Sequence, residues 1–298
     1  MKKFVFQTVT FCLLVSLAFL LLLSNADGKT DAFYKRFTSP KQESLILGTS
    51  RAAQGVRPDV FKKHLDKDIY NYSFTVSNSP YGPAYFNSVK KKLNENSTNG
   101  VFILTVDPWS ICSDTKDPND STNFRENNSF VGKTTFVNMN PNFEYLLENL
   151  AGQYHTVLNK MDGPMLLHDD GWLEVTIKMD SASVSKRLKS KLDTYRNDNL
   201  PKYKFSSVRL QYLKQTIQLL KPHGNVYLVR LPIHPEIYKI EQELMPQFDS
   251  IISDISPATN GYLNLTTRNS EFQYTDGNHV WKESAAEVSQ IIAKWIKD

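Results

Sequence analysis

From residue 43 onward the chain alternates short apolar runs with amphipathic stretches, and no other feature narrows its fold as far. The runs are "SLILG" at 44–48, "IYNYSF" at 69–74, "GVFILTVDP" at 100–108, "NVYLVRLP" at 225–232 and "GYLNLTT" at 261–267. Each is apolar or β-branched and lies next to turn formers, which predicts buried strands. Residues 206–221, "SSVRLQYLKQTIQLLK", carry apolar side chains at 208, 210, 213, 217 and 220, a single helical stripe that Pro222 stops. The last stretch, "KESAAEVSQIIAKWIK", aligns Ala285, Val288, Ile292 and Trp295 or Ile296 on one face. Strands alternating with core-facing helices predict an α/β fold, a three-layer α/β/α sandwich around a mostly parallel sheet.

The rhythm breaks at about 110–203, where Asn, Asp, Ser and Thr dominate before a partly helical stretch. This reads as a long insertion after the third strand. Loops at the carboxyl ends of parallel strands are where ligands bind, so the insertion is either a substrate-recognition element or lid, or a decoration.

Residues 4–24, "FVFQTVTFCLLVSLAFLLLLS", carry no charge and follow Met1-Lys2-Lys3. That length can span a bilayer and exceeds the apolar core usual in a cleaved signal sequence, which favours a retained anchor. Ser24-Asn25-Ala26 also fits a cleavage site, so residues 1–26 are expected to be a signal anchor or a signal peptide, with secretion if cut after Ala26. Either way the positive end stays inside and the rest is exported to a periplasmic or extracellular side. Residues 27–42 read as a linker. The +4 formal charge includes Lys2 and Lys3, leaving about +2 on the exported part, which gives no argument for a nucleic-acid partner. Cys12 lies inside the apolar run, so Cys112 has no partner for an intramolecular disulfide and the core must hold the fold.

The first apolar run ends in Gly48-Thr49-Ser50-Arg51 and passes straight into helix-forming residues. Gly48 permits a sharp turn that sets Ser50 at the mouth of the next helix. A serine nucleophile is presented in such a place, and an ordinary serine cap stands there as well. Near the C-terminus, "YTDGNHVWKESA" puts Asp276 three residues before His279. A tight Asp-Gly-Asn-His turn lets the carboxylate accept from one imidazole nitrogen and leaves the other free to act as a base.

Together with "LILGTSRAAQGVRP", "YNYSFTVSNSP", "LTVDP", "VRLPIHP" and "DGNHVW", these motifs resemble the SGNH or GDSL hydrolase superfamily. More closely, they look like membrane-anchored SGNH-like proteins of cell-surface polysaccharide machinery, with D-alanyl transfer proteins and alginate-type O-acetyltransferases as distant relatives. The resemblance covers roughly residues 43–108 and 224–298. It implies a flavodoxin-like sheet in one SGNH-like domain over 43–298, with Ser50 as nucleophile, His279 as base and Asp276 as its orienting partner. It further implies an acyl-enzyme that passes its acyl group to water or to a sugar hydroxyl. The implied partners are a polysaccharide or other acylated glycan, a membrane acyl-transfer protein supplying the acyl group, and the membrane itself. A non-catalytic assembly or carbohydrate-binding role on the same fold is the alternative. The Ser50 N–H is the first oxyanion donor the resemblance implies; Ser77 or Asn78 could supply another through the backbone, and Asn78 through its amide. The chain departs from the pattern at Thr49, where the family has an aspartate, and at Val106-Asp107-Pro108, where the third block lacks its asparagine.

Further candidates come from composition. Arg51 and Arg230 suit either a substrate carboxylate or a protein carboxylate. Asp107 suits a structural role, substrate, or Arg51. His234 could line the cleft or serve a turn, and Trp109 and Trp172 could stack on a sugar or fill the core. "LLHDDGWLE" at 166–174 lacks zinc or calcium spacing, and no phosphate loop or dinucleotide fingerprint appears, so neither metal nor cofactor is expected.

Overall fold

The structure, a computed structural model, describes residues 1–158 and 163–298. The chain opens with α1 (Lys2–Leu23) and a short α2 (Tyr34–Thr38), then enters β1 (Leu45–Leu47), α3 (Ser50–Gly55), α4 (Pro58–Leu65), β2 (Tyr70–Asn71), α5 (Pro83–Lys92) and β3 (Gly100–Thr105). The inserted region carries β4 (Cys112–Ser113), α6 (Phe130–Lys133), α7 (Phe143–Glu148), the hairpin strands β5 (Met165–Leu167) and β6 (Leu173–Val175), α8 (Ser181–Asp193) and β7 (Lys204–Phe205). The alternating pattern resumes with α9 (Ser207–Leu220), β8 (Gly224–Arg230), α10 (Pro235–Leu244), α11 (Phe248–Ile255), β9 (Tyr262–Asn264) and α12 (Lys282–Lys297).

The central sheet is parallel throughout, in the order β2-β1-β3-β8-β9. Strand residues alternate between its faces because successive side chains point to opposite sides. Phe102 and Leu104 join the cluster that includes Val89, Leu213, Ile217, Ile240 and Ile252. Val101 and Ile103 join the opposite cluster, with Ala285, Val288 and Ile292 of α12. Helices therefore cover both faces, which makes the three layers, and the two small antiparallel sheets β4–β7 and β5–β6 lie within the insertion.

Two expectations change in extent. The run 69–74 yields only Tyr70–Asn71 as strand, because beyond them the chain turns to pack Tyr72 and Phe74 into the core. Residues 27–42, expected as a linker, contain α2, where Tyr34 and Phe37 are fully buried and Arg36 lies over the Phe74 ring. The last turn of α1 is seated too: Leu23 has no exposure, and Leu22 and Ala26 pack on the same core.

Candidate active site

The serine turn is built by a constraint on Gly48. Its φ of +149° and its closeness to β3, where an added Cβ would stand 1.9 Å from Thr105 Oγ1, exclude any side chain. The turn is pinned on two sides: Gly48 N–H donates to the Tyr85 hydroxyl at 3.3 Å, and Ser79 Oγ donates to Gly48 O at 2.7 Å. Thr49 stays extended and Ser50 becomes the first residue of α3. There the Ser50 N–H has no protein acceptor among the described residues, as expected at a helix start.

The histidine loop is built by Asp276. Its Oδ1 accepts from the backbone N–H groups of Asn278 (2.9 Å) and His279 (3.0 Å), and Gly277 takes the left-handed conformation at φ +86°. A bridge between Tyr274 and Val280 closes the loop. The imidazole then faces both ways: His279 Nδ1 lies 3.1 Å from each Asp276 oxygen, and Nε2 lies 2.8 Å from Ser50 Oγ.

Asn278 fixes the tautomer. Its Oδ1 accepts from Arg51 Nε at 2.9 Å and from the Tyr195 hydroxyl at 2.7 Å, so its Nδ2 must face His279 Nε2, 3.1 Å away. An amide nitrogen only donates, so Nε2 is the accepting nitrogen and the ring proton sits on Nδ1, toward Asp276. Burial opposes ionisation of Asp276, yet the attraction of His279 when its imidazole is protonated, the hydrogen bonds His279 donates and the nearby Lys191 hold its carboxyl well below the usual carboxylate range. Lys191 Nζ stands 3.2 Å from Asp276 Oδ2.

Lys191 belongs to α8, so the insertion braces this loop. Arg187 Nε of the same helix donates to Thr275 O at 2.7 Å, and Leu188 closes on Gly277. Behind the site lies a buried ion cluster. Glu241 accepts from Arg51 Nη1 (2.6 Å) and Trp109 Nε1 (3.0 Å) on one oxygen and from Arg230 Nη2 (3.1 Å) on the other. Arg230 also reaches Asp249 at 2.6 Å. Burial alone would favour neutral Arg51, but Glu241 and Asp107 outweigh it and keep the guanidinium charged.

This cluster settles several candidates. Arg51 and Arg230 pair with protein carboxylates, so neither guanidinium is open to a substrate. Asp107 caps the 3₁₀ turn Pro108–Ile111 through Ser110 N–H and lies 4.0 Å from Arg51; burial raises its pKa. Trp109 and Trp172 are both 3% exposed, so stacking on a sugar is ruled out. Trp109 packs edge-on against Tyr195 and Tyr203, while Trp172 donates to Gln54 O and lies between His168 and Arg57. His234 caps α10, its Nδ1 accepting from Glu236 N–H, and its own N–H donates to Gly277 O at 3.0 Å. It is half-buried beside the histidine loop, with a pKa lowered by burial.

The turn after β2 offers less backbone than expected. Ser77 N–H donates to Thr75 Oγ1 and Asn78 N–H to Thr75 O, so both donors are used within the turn. The Asn78 Nδ2 amide has no protein acceptor among the described residues, and its turn lies against Gly48 through Ser79. Among the described residues no group of three or more His, Cys, Asp or Glu could hold a metal; His168 pairs with Glu174 at 2.9 Å across the β5–β6 hairpin.

Sequence reasoning missed Asn278, Glu241, Lys191 and Tyr195. Only Asn278 left a local signal, its place beside His279; the other three arrive through long-range contacts.

No family model matches the chain. No curated protein is similar to it in sequence. Solved structures of an M. smegmatis aryl esterase align with it over 85% of this chain and 97% of theirs: the inhibitor-bound form at 10% identity and a TM-score of 0.36. For the native form the identity is 12% and the TM-score 0.34, over the same shares of the two chains.

Proposed function

We propose that the protein is an SGNH-type serine esterase or O-acyltransferase, acetyl-type in its cargo, working on a cell-surface or secreted polysaccharide. The observation that carries this is the continuous relay Ser50 Oγ, His279 Nε2, His279 Nδ1, Asp276, at 2.8 and 3.1 Å. Ser50 Oγ attacks the acyl carbonyl carbon while Nε2 takes its proton, and the carbonyl electron pair moves to oxygen. The Ser50 N–H and the Asn78 amide are the donors available to that oxygen. Collapse breaks the bond to the alcohol oxygen, which leaves with the proton that Nε2 took from Ser50, and the acyl-enzyme remains. Water or a sugar hydroxyl then attacks, yielding its proton to Nε2 and finally to Ser50 Oγ. Hydrolysis and transfer share every protein group and differ only in the acceptor.

The polysaccharide assignment is supported by the motif resemblance and by an N-terminal helix long and apolar enough to cross a membrane. The test is fluorophosphonate labelling of the full chain in detergent, because Leu22, Leu23 and Ala26 belong to the core. Wild type should label, and Ser50→Ala and His279→Ala should not. Folded wild type that takes no label would sink the catalytic reading in favour of an assembly or carbohydrate-binding role.

A further inference from the structure

Exposed large apolar side chains are confined, among the described residues, to α1 and the inserted region. Five of the inserted ones lie on segments that meet α1 or the chain just after it: Leu147 (50% exposed), Tyr154 (41%), Leu158 (62%), Met165 (54%) and Leu166 (46%). Their positions around the helix base follow from contacts. The Tyr154 ring meets Phe19 of α1 edge-on at 5.5 Å, and its hydroxyl donates to Leu147 O at 3.2 Å. The chain leaving α1 passes between this segment and the β5–β6 hairpin: Thr30 Oγ1 donates to Thr156 O at 3.0 Å, and Gly28 lies so close to Leu167 that a Cβ there would come within 2.7 Å of Cδ2. Phe136 and Met139 are set apart, in a hollow they share with Lys41, Lys90 and Lys91.

We infer that these residues form a collar that dips into the outer face of the bilayer around α1. The lengths agree. At about 1.5 Å per residue the 22 residues of α1 extend about 33 Å, close to the roughly 30 Å hydrocarbon thickness, so the membrane surface falls near Leu23. Phe19 lies four residues back, about 6 Å deeper, and Tyr154 sits beside it. An aromatic side chain with a polar tip at that depth matches the interfacial zone, and Leu and Met around it have no polar demand to meet there. An apolar rim continuous with a membrane span is covered by the same solvent that covers the span.

The inference rests on α1 being a retained span, and the test separates the two. The full chain carrying Cys12→Ser is reconstituted in phosphatidylcholine vesicles with a nitroxide on Leu158→Cys, Leu166→Cys or, as a reference, Lys189→Cys on the exposed side of α8. Collision with oxygen, which concentrates in lipid, is compared with collision with a water-soluble nickel chelate. The expected result is an oxygen-to-nickel ratio several-fold higher at 158 and 166 than at 189. Equal ratios at all three positions, with the protein still in the vesicles, would overturn the collar alone. Shielding of 158 and 166 from both reagents would overturn it in favour of a protein covering that face. Extraction of the protein by alkaline carbonate would remove the span itself, and the collar with it.

Discussion

Arg51 Nε donates to Asn278 Oδ1 at 2.9 Å, so the residue after Ser50 holds the residue before His279. This side-chain strut ties the two halves of the relay, 229 positions apart in the chain, more directly than the sheet does.

Removing the amide should therefore cost reactivity before it costs the fold. Asn278→Ala is expected to slow fluorophosphonate labelling of Ser50 by on the order of 10²-fold, the penalty of a small displacement in a reacting pair. Arg51→Met removes the other end of the strut and should slow labelling as well, but it also strands Glu241 between fewer cations and is expected to cost about 3–5 kcal/mol of stability. Labelling rates and denaturant midpoints, measured on both variants, check this: a midpoint that falls as far in Asn278→Ala as in Arg51→Met, or an Arg51→Met protein that labels at the wild-type rate, would contradict it.

Asp276→Asn should lower turnover by about 10⁴-fold, since an amide reverses the hydrogen-bond demand on Nδ1 and favours the wrong tautomer. The carboxylate also contributes to stability with a definite sign. Its folded pKa lies below the unfolded value near 3.9, so its contribution is whole above about pH 4 and is lost as pH falls toward the folded value. The gap in melting temperature between wild type and Asp276→Asn should be wide at pH 7 and shrink below pH 4; a gap that widened in acid would contradict this.

Gly48→Ala should destabilise strongly, because the new methyl would overlap Thr105 Oγ1 in a backbone region that L-residues avoid. A loss of roughly 1–3 kcal/mol is expected from backbone strain alone, before the clash. Gly163→Ala, which meets nothing within 4 Å, is the control and should change little.

Lys92 supplies an alkaline counterpart. Its amino group is buried against Phe37 O, Ser39 O and Val137 O, and burial pushes its pKa down to about 6. Between about 6 and the unfolded value near 10.4 the unfolded chain binds a proton that the folded chain does not. Stability should thus rise with pH across that window, and Lys92→Met should flatten the rise. Urea midpoints from pH 6 to 9.5 would show it; equal slopes for the two proteins would refute it.

The parts of this molecule that sequence reveals are those set by local chemistry. Apolar runs such as Leu45–Leu47 and Gly100–Thr105 have few places to go but a covered sheet, and the Ala285, Val288, Ile292 stripe has one period that fits. Residue type at a turn also narrows the options, which is why Gly48 and the Asp276–His279 loop could be located. What stayed hidden depends on distant chain. Trp109 and Trp172 have the composition of sugar platforms, and only the arrival of Glu241 and of Gln54 O makes them interior. The aromatic pair Tyr34 and Phe37 did carry a signal against a free linker over 27–42, but one short turn of helix is too little period to show it.

Leu23 at zero exposure has a mechanical meaning. A domain on a slack tether sweeps a volume and meets substrates at many distances from its root. Here the proposed membrane span and the α/β domain share a core, so they move as one piece, and Ser50 would ride at a constant altitude above the lipid. If the proposed function holds, such an arrangement would filter substrates by height: an ester emerging at that level would be reached repeatedly, and an identical one a few nanometres farther out would never be met.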